Sequence, residues 1–191
     1  MSKNLYIISG CNGAGKTTAS YTVLPEILDC REFVNADEIA RGLSPFNPGS
    51  VAIEAGRLML KRIEELLGKG ESFSIETTLA TKSYINLVRR AQAEGYAVKI
   101  IFFWLKTPEL AVLRVAERVQ KGGHDLPEDV IRRRYVAGIK NLFQLFMNEV
   151  DCWDIYDNSE NPRVQIACGG ANAQTIISNA SLYKKLKKYV E

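Results

Sequence analysis

One histidine, His124, and four cysteines, Cys11, Cys30, Cys152 and Cys168, are all that these 191 residues offer of the softer metal ligands. No C-x-x-C pair occurs among them, so no zinc site is expected. The cysteines read as reduced thiols of a cytoplasmic protein. Nowhere do apolar residues run for the ~20 positions a membrane span needs. The few apolar residues ahead of Gly10 fall short of a signal peptide, so no membrane or secretory role is expected. The net charge of +3 comes without a strongly basic stripe, which argues against a nucleic-acid partner. Lys184, Lys185, Lys187 and Lys188 read as the solvated end of a last helix. Repeats, low-complexity segments and an interdomain linker are also missing. With 46% hydrophobic and 25% charged residues, one domain over residues 1–191 with one core is expected.

What the chain does carry is Gly10-Cys11-Asn12-Gly13-Ala14-Gly15-Lys16-Thr17, after the apolar run Leu5-Tyr6-Ile7-Ile8 and before a helix-compatible segment beginning Thr18-Ala19-Ser20. Strand, glycine loop and helix with G-x-x-x-x-G-K-[ST] spacing make a phosphate-binding P-loop. The glycines let successive N–H groups turn inward, and the new helix presents its positive end. Lys16 then reaches the β- and γ-phosphates, and the Thr17 hydroxyl is placed to ligate Mg²⁺. Gly10, Asn12, Gly13, Ala14, Gly15, Lys16, Thr17 and Thr18 are therefore the expected nucleotide contacts. Cys11 is either a thiol acidified among those amides or a plain small side chain.

Strand and helix signals alternate down the rest of the chain. A first helix is expected from Thr17 to the region of Leu28, with Pro25 kinking or ending it. Strands are expected at 32–35 and 72–75, in a strongly apolar run at 97–105, and at 154–156 and 163–167. Helices are expected at about 50–68 and 82–94, after Pro108 with Thr107 as its cap, from Pro127 to Asn148, and at the end of the chain. The pattern predicts an α/β, three-layer fold with a mostly parallel central sheet covered on both sides.

In such sheets ligands bind beyond the carboxyl ends of the strands. Asp37 follows the second expected strand, Glu76, Thr77 and Thr78 the third, and Asp157 and Asn158 the fifth. One acid near a triphosphate takes the proton of an attacking hydroxyl and another orients Mg²⁺; the sequence does not divide these roles between Asp37 and Glu76. Asp37 also suits a helix N-cap. Arg114 and Arg118 share a helix face. With the Gly122-Gly123-His124-Asp125 hinge and Arg132, Arg133 and Arg134, they suggest a helical lid over about residues 114–134. The alternative is surface pairing with Glu117, Glu128 and Asp129.

The P-loop, Asn35-Ala36-Asp37-Glu38-Ile39, Ile75-Glu76-Thr77-Thr78-Leu79 and Arg114-Val115-Ala116-Glu117-Arg118-Val119 leading to Gly122-Gly123-His124 resemble the zeta-toxin family of P-loop kinases. They are similar in particular to its small stand-alone bacterial branch, often described as predicted ABC-type ATPases. Arg132-Arg133-Arg134-Tyr135 and Tyr156-Asp157-Asn158-Ser159 fit the same branch. The resemblance implies an ATP- and Mg²⁺-dependent kinase that phosphorylates a hydroxyl on a small molecule, in zeta toxins UDP-N-acetylglucosamine, with an antitoxin protein as a partner. It makes Asp37 the catalytic base and Glu76 and Thr78 the substrate-side E-x-T. Arg118 and Arg134 become the catalytic lid arginines beside Lys16, with Arg132 a rival to Arg134. Where wall-precursor kinases often continue E-x-T-x-R, this chain has Ala80, which bears on the acceptor more than on the reaction. The alternative is a P-loop ATPase coupling hydrolysis to conformational change. Against it stand the missing L-S-G-G-Q motif and the missing strand ending in a strong Walker B aspartate.

Overall fold

The computed structural model describes residues 3–120, 122–123 and 125–190. A seven-stranded sheet runs in the order β2-β3-β1-β4-β5-β6-β7. β1 (Lys3–Gly10) lies between β3 (Phe73–Thr77) and β4 (Tyr96–Trp104), parallel to both. β2 (Phe33–Val34) extends the parallel part on one side and β5 (Cys152–Asp157) on the other. β6 (Val164–Gly170) and β7 (Ala173–Ile177) then turn antiparallel. The strand order reverses direction at β1, so the crevice expected of an open parallel sheet forms beyond its carboxyl end, where the glycine loop sits.

The nearly unbroken apolar run of β4 reflects burial on both faces, with Val98, Ile100, Phe102, Phe103 and Trp104 all at most 2% exposed; the exceptions are the exposed Ala97 and the half-buried Lys99, paired with Asp154 at 2.9 Å. These pack in one contiguous cluster with Leu5, Ile7, Phe73, Ile75, Trp153 and Ile155. Helices α1 (Lys16–Thr22), α2 (Ala36–Leu43), α3 (Ala52–Lys69) and α4 (Tyr84–Ala93) follow β1, β2 and β3. α5 (Pro108–Gln120) and α6 (Glu128–Asn141) form a pair after β4, and α7 (Ala180–Lys187) comes last. Thr107 caps α5 by accepting the Leu110 N–H at 3.2 Å, as its sequence predicts. Tyr135 anchors α6 to the end of β4: its hydroxyl accepts from Trp104 Nε1 at 2.8 Å and donates to the Leu105 carbonyl at 2.6 Å.

Several features differ from the sequence reading: α2 forms where no helix is expected beyond a cap at Asp37, and the helix expected from Pro127 to Asn148 ends at Asn141 and passes into a π-helical turn over Leu142–Phe146. The first helix stops at Thr22 and continues as a π-helical turn over Val23–Ile27. Pro25 has no N–H to give, and the ladder slips so that Leu28 N donates to Val23 O at 3.1 Å. β7 was not expected. All five of its residues are exposed, so no buried face imprinted an alternating pattern on them. For the same reason the cover of helices does not reach that edge of the sheet.

Candidate active site

The P-loop backbone adopts conformations that its sequence demands. Gly10 has φ +134°, and a Cβ there would lie 2.1 Å from the Phe103 carbonyl oxygen of the neighbouring strand. Gly13 has φ +78°, with a would-be Cβ 2.9 Å from Ala111 O on α5. The loop can curl this tightly only with no side chain at either point. Its outer wall is tied down by Asn158, whose Nδ2 donates to Ala14 O at 2.8 Å. Arg114 in turn donates to Asn158 O at 2.8 Å and Ser159 O at 2.7 Å. Arg114 thus braces the segment after β5 rather than presenting a free charge. Asp157 is likewise spent on structure, accepting the Ser159 N–H at 2.9 Å.

Inside the curl the Lys16 ammonium, 7% exposed, donates to Cys11 O at 3.0 Å and lies 3.6 Å from Glu76 Oε1. The other carboxylate oxygen of Glu76 accepts from the Thr17 hydroxyl at 2.8 Å and from Asn35 Nδ2 at 2.9 Å. Asn35 is therefore a two-ended residue, since its Oδ1 also accepts the Asp37 N–H at 2.9 Å and caps α2. The cap role that suited Asp37 belongs to Asn35. The Asp37 carboxylate stands on the cleft wall with no hydrogen bond or ion pair among the described residues. Asn12 Oδ1 is buried without a hydrogen-bond partner, an acceptor left open at the loop. Burial pushes the Cys11 thiol up to about 12 despite the Lys16 charge nearby, so the plain small side chain is the reading that holds.

These groups line one cleft of about 710 Å³, of a size to take a small-molecule ligand. Asn12, Gly13, Gly15, Lys16, Thr17 and Thr18 border it from the loop, Asp37 from α2, Glu76 from β3, and Arg114 and Arg118 from α5. Ala14 lies behind the loop, fully buried, and Gly10 beneath it. Two expected residues stand elsewhere. Thr78 is off the cleft wall, its hydroxyl accepting from Ala80 N at 3.5 Å. Arg134 is off it as well, because α6 turns Ile131, Tyr135, Gly138 and Ile139 to the core and Arg134 lies beside that seam. Arg132 is engaged by Glu109 at 2.6 Å and Glu128 at 2.7 Å, the surface pairing weighed against a lid role. His124 lies outside the described residues.

Sequence reasoning passed over Tyr21, Glu38, Arg41 and Glu117 on the same wall. Arg41 had a readable signal, four residues after Asp37 and hence on its helix face. Glu117 had the same kind of signal, three residues after Arg114 on one helix, and Tyr21 had none.

Among the described residues no three histidine, cysteine or acidic side chains cluster to hold a metal alone. Mg²⁺ takes one or two protein oxygens and completes its shell with phosphates and water. The Thr17 hydroxyl and the Glu76 carboxylate beside it are hard oxygen donors of that kind. No helix among the described residues is long and apolar enough to cross a membrane.

An uncharacterized protein of Haemophilus influenzae is 29% identical over 126 residues, 66% of this chain and 88% of its own length. Among solved structures, AvrRxo1-ORF1:-ORF2 with ATP superposes with a TM-score of 0.79 at 19% identity. It covers 97% of this chain, which spans 63% of that one. The PezAT chromosomal toxin–antitoxin system of Streptococcus pneumoniae gives a TM-score of 0.71 at 18% identity, over 98% of this chain and 78% of its own. These likenesses establish the fold, the P-loop kinase-like α/β arrangement that the sequence predicts. The family model of the zeta toxins matches residues 1–165, which include the loop, Asp37, Glu76 and the α5–α6 pair, and the chain belongs to the zeta toxin family.

Proposed function

We propose that this protein is an ATP-dependent kinase that transfers the γ-phosphate to a hydroxyl of a small molecule, with a nucleotide sugar such as UDP-N-acetylglucosamine as one candidate acceptor. The observation that carries the proposal is the Asp37 carboxylate, unpartnered on the wall of the cleft that also holds Lys16. A carboxylate there accepts the proton of the acceptor hydroxyl as its oxygen bonds to the γ-phosphorus and the bond to the β,γ-bridging oxygen breaks, releasing ADP. The loop amides and Lys16 cradle the phosphates, and Asn12 Oδ1 is open to a donor. Thr17, with Glu76 beside it, would hold Mg²⁺, which when bound offsets the charge on the phosphate oxygens. Arg118 stabilises charge on the transferred group. The α5–α6 hairpin, about residues 114–134, serves as the lid that brings Arg134 to the phosphates, and Thr78 joins the acceptor side with Glu76. Family membership and the likeness to an ATP-bound structure support ATP as donor. The likeness to a toxin–antitoxin system supports an antitoxin protein as partner, and four free cysteines suit a reducing cytoplasm.

The test is transfer of label from [γ-³²P]ATP to a panel of nucleotide sugars and other hydroxyl-bearing metabolites, with Lys16→Ala as the blank. Label in an acceptor, absent with the variant, is the expected result. ATP hydrolysis that no small acceptor captures, and that a polymer or protein stimulates instead, would replace the kinase with an ATPase motor or switch.

A further inference from the structure

The cleft has an annex on the side of Asp37. A recess of about 60 Å³ adjoins it, walled by the small side chains of Ala36, Ala40 and Ala52, while Asp37, Arg41 and Arg118 line both spaces. At about 60 Å³ beside a cleft of about 710 Å³, the recess is the minor part of the site. One end of an acceptor entering it would meet Asp37 together with Arg41 and Arg118.

Arg41 stands one helical turn beyond Asp37, on the same face, roughly 6 Å away by Cβ spacing. Its partner in this structure is Glu38 at 3.1 Å, an i,i+3 pair with the arginine side chain 51% exposed. Exposed pairs of this kind are weakly held, so an oxyanion able to take both guanidinium N–H groups displaces Glu38 readily. Of the remaining acids on this wall, Glu76 is held by Thr17 and Asn35, Asp37 faces the acceptor hydroxyl in the reading above, and Glu117 is exposed on α5. Arg114 offers no alternative, since its guanidinium already serves the Asn158 and Ser159 carbonyls. Ala80 cannot supply a charge either.

We infer that Arg41 reads an anionic group on the acceptor, so that the substrate class is a hydroxylated oxyanion, carboxylate or phosphate, whose charge lies a few bonds from the hydroxyl facing Asp37. This rests on the kinase reading above. Neutral polyols and free sugars offer the Arg41 guanidinium no charge to take in place of Glu38 and gain nothing from it.

The experiment compares label transfer from [γ-³²P]ATP to glycerol, glycerate and glycerol 3-phosphate, to glucose, gluconate and glucose 6-phosphate, and to N-acetylglucosamine and UDP-N-acetylglucosamine. ATP binding is followed in parallel by calorimetry. Label is expected only in charged members, and the carboxylate and phosphate arms tell which oxyanion is preferred. Arg41→Gln should raise KM for that acceptor about tenfold or more with KM for ATP unchanged, and Arg41→Lys should recover part of it. Neutral members labelled as well as charged ones, no label in any charged member, or an acceptor KM that Arg41→Gln leaves unchanged would each overturn the inference while ATP binding stands. Loss of ATP binding in the unaltered protein would instead remove the kinase reading beneath it.

Discussion

The Thr17 hydroxyl donates to Glu76 Oε2 at 2.8 Å, and this one contact ties the start of α1 to the end of β3 across the phosphate site. Asn35 Nδ2 reaches the same oxygen, which leaves Oε1 turned toward Lys16. Glu76 thus engages the two loop side chains that nucleotide and Mg²⁺ would claim. Glu76→Gln puts an amide N–H₂ where one of these oxygens accepts. The expected outcome is a loss of about 10- to 100-fold in Mg²⁺ affinity of the ATP complex, read by calorimetric titration at fixed ATP. Unchanged Mg²⁺ affinity would take Glu76 out of the metal's surroundings.

Asp37→Asn keeps the size of the side chain and the backbone N–H that Asn35 caps. ATP should bind as before, while transfer falls about 10²- to 10⁴-fold through loss of the proton acceptor. Lys16→Ala should weaken binding and transfer together. Transfer by Asp37→Asn at the original rate would assign the base to another group.

Gly10→Ala places a methyl 2.1 Å from the Phe103 carbonyl, on backbone that cannot move aside, at φ +134°. Destabilisation of about 2–4 kcal/mol is expected in urea unfolding, from strain and overpacking together. Gly56, inside α3, has nothing within 4 Å of a would-be Cβ. Gly56→Ala should stabilise the protein by about 0.5–1 kcal/mol. Equal effects from the two substitutions would contradict the close approach of β1 and β4.

With its thiol pushed up to about 12, Cys11 stays protonated in the folded protein where an unfolded chain ionises near 9. The raised value makes the folded state favourable below the unfolded pKa, so this contribution to stability is lost as pH rises between 9 and about 12. The slope is about 1.4 kcal/mol per pH unit at most. Iodoacetamide at pH 8 should modify the partly exposed Cys152 and Cys168 first and reach Cys11 only on unfolding. Fast alkylation of Cys11 in the native protein would restore the reactive-thiol alternative.

The chain by itself determined everything that depends on short spacing. Gly10 to Thr17 specifies its own curl because the glycines, lysine and hydroxyl lie within one turn of backbone. The apolar run of β4 announces a strand buried on both faces, and Asp37 and Glu76 are legible because strand ends in a parallel sheet share one rim. What each arginine does was decided by tertiary structure alone. Arg114, Arg118 and Arg132 look alike in sequence, yet Arg114 braces two carbonyls at the cleft wall, Arg132 is claimed by two glutamates away from it, and Arg118 lines both the cleft and its annex. Glu128 is four residues from Arg132 and legible as a helical pair, but Glu109 is 23 positions away and the carbonyls that hold Arg114 are 44 and 45 away, distances that no periodicity encodes. β7 escaped notice because a strand exposed on both faces buries no side that would leave its mark on the sequence.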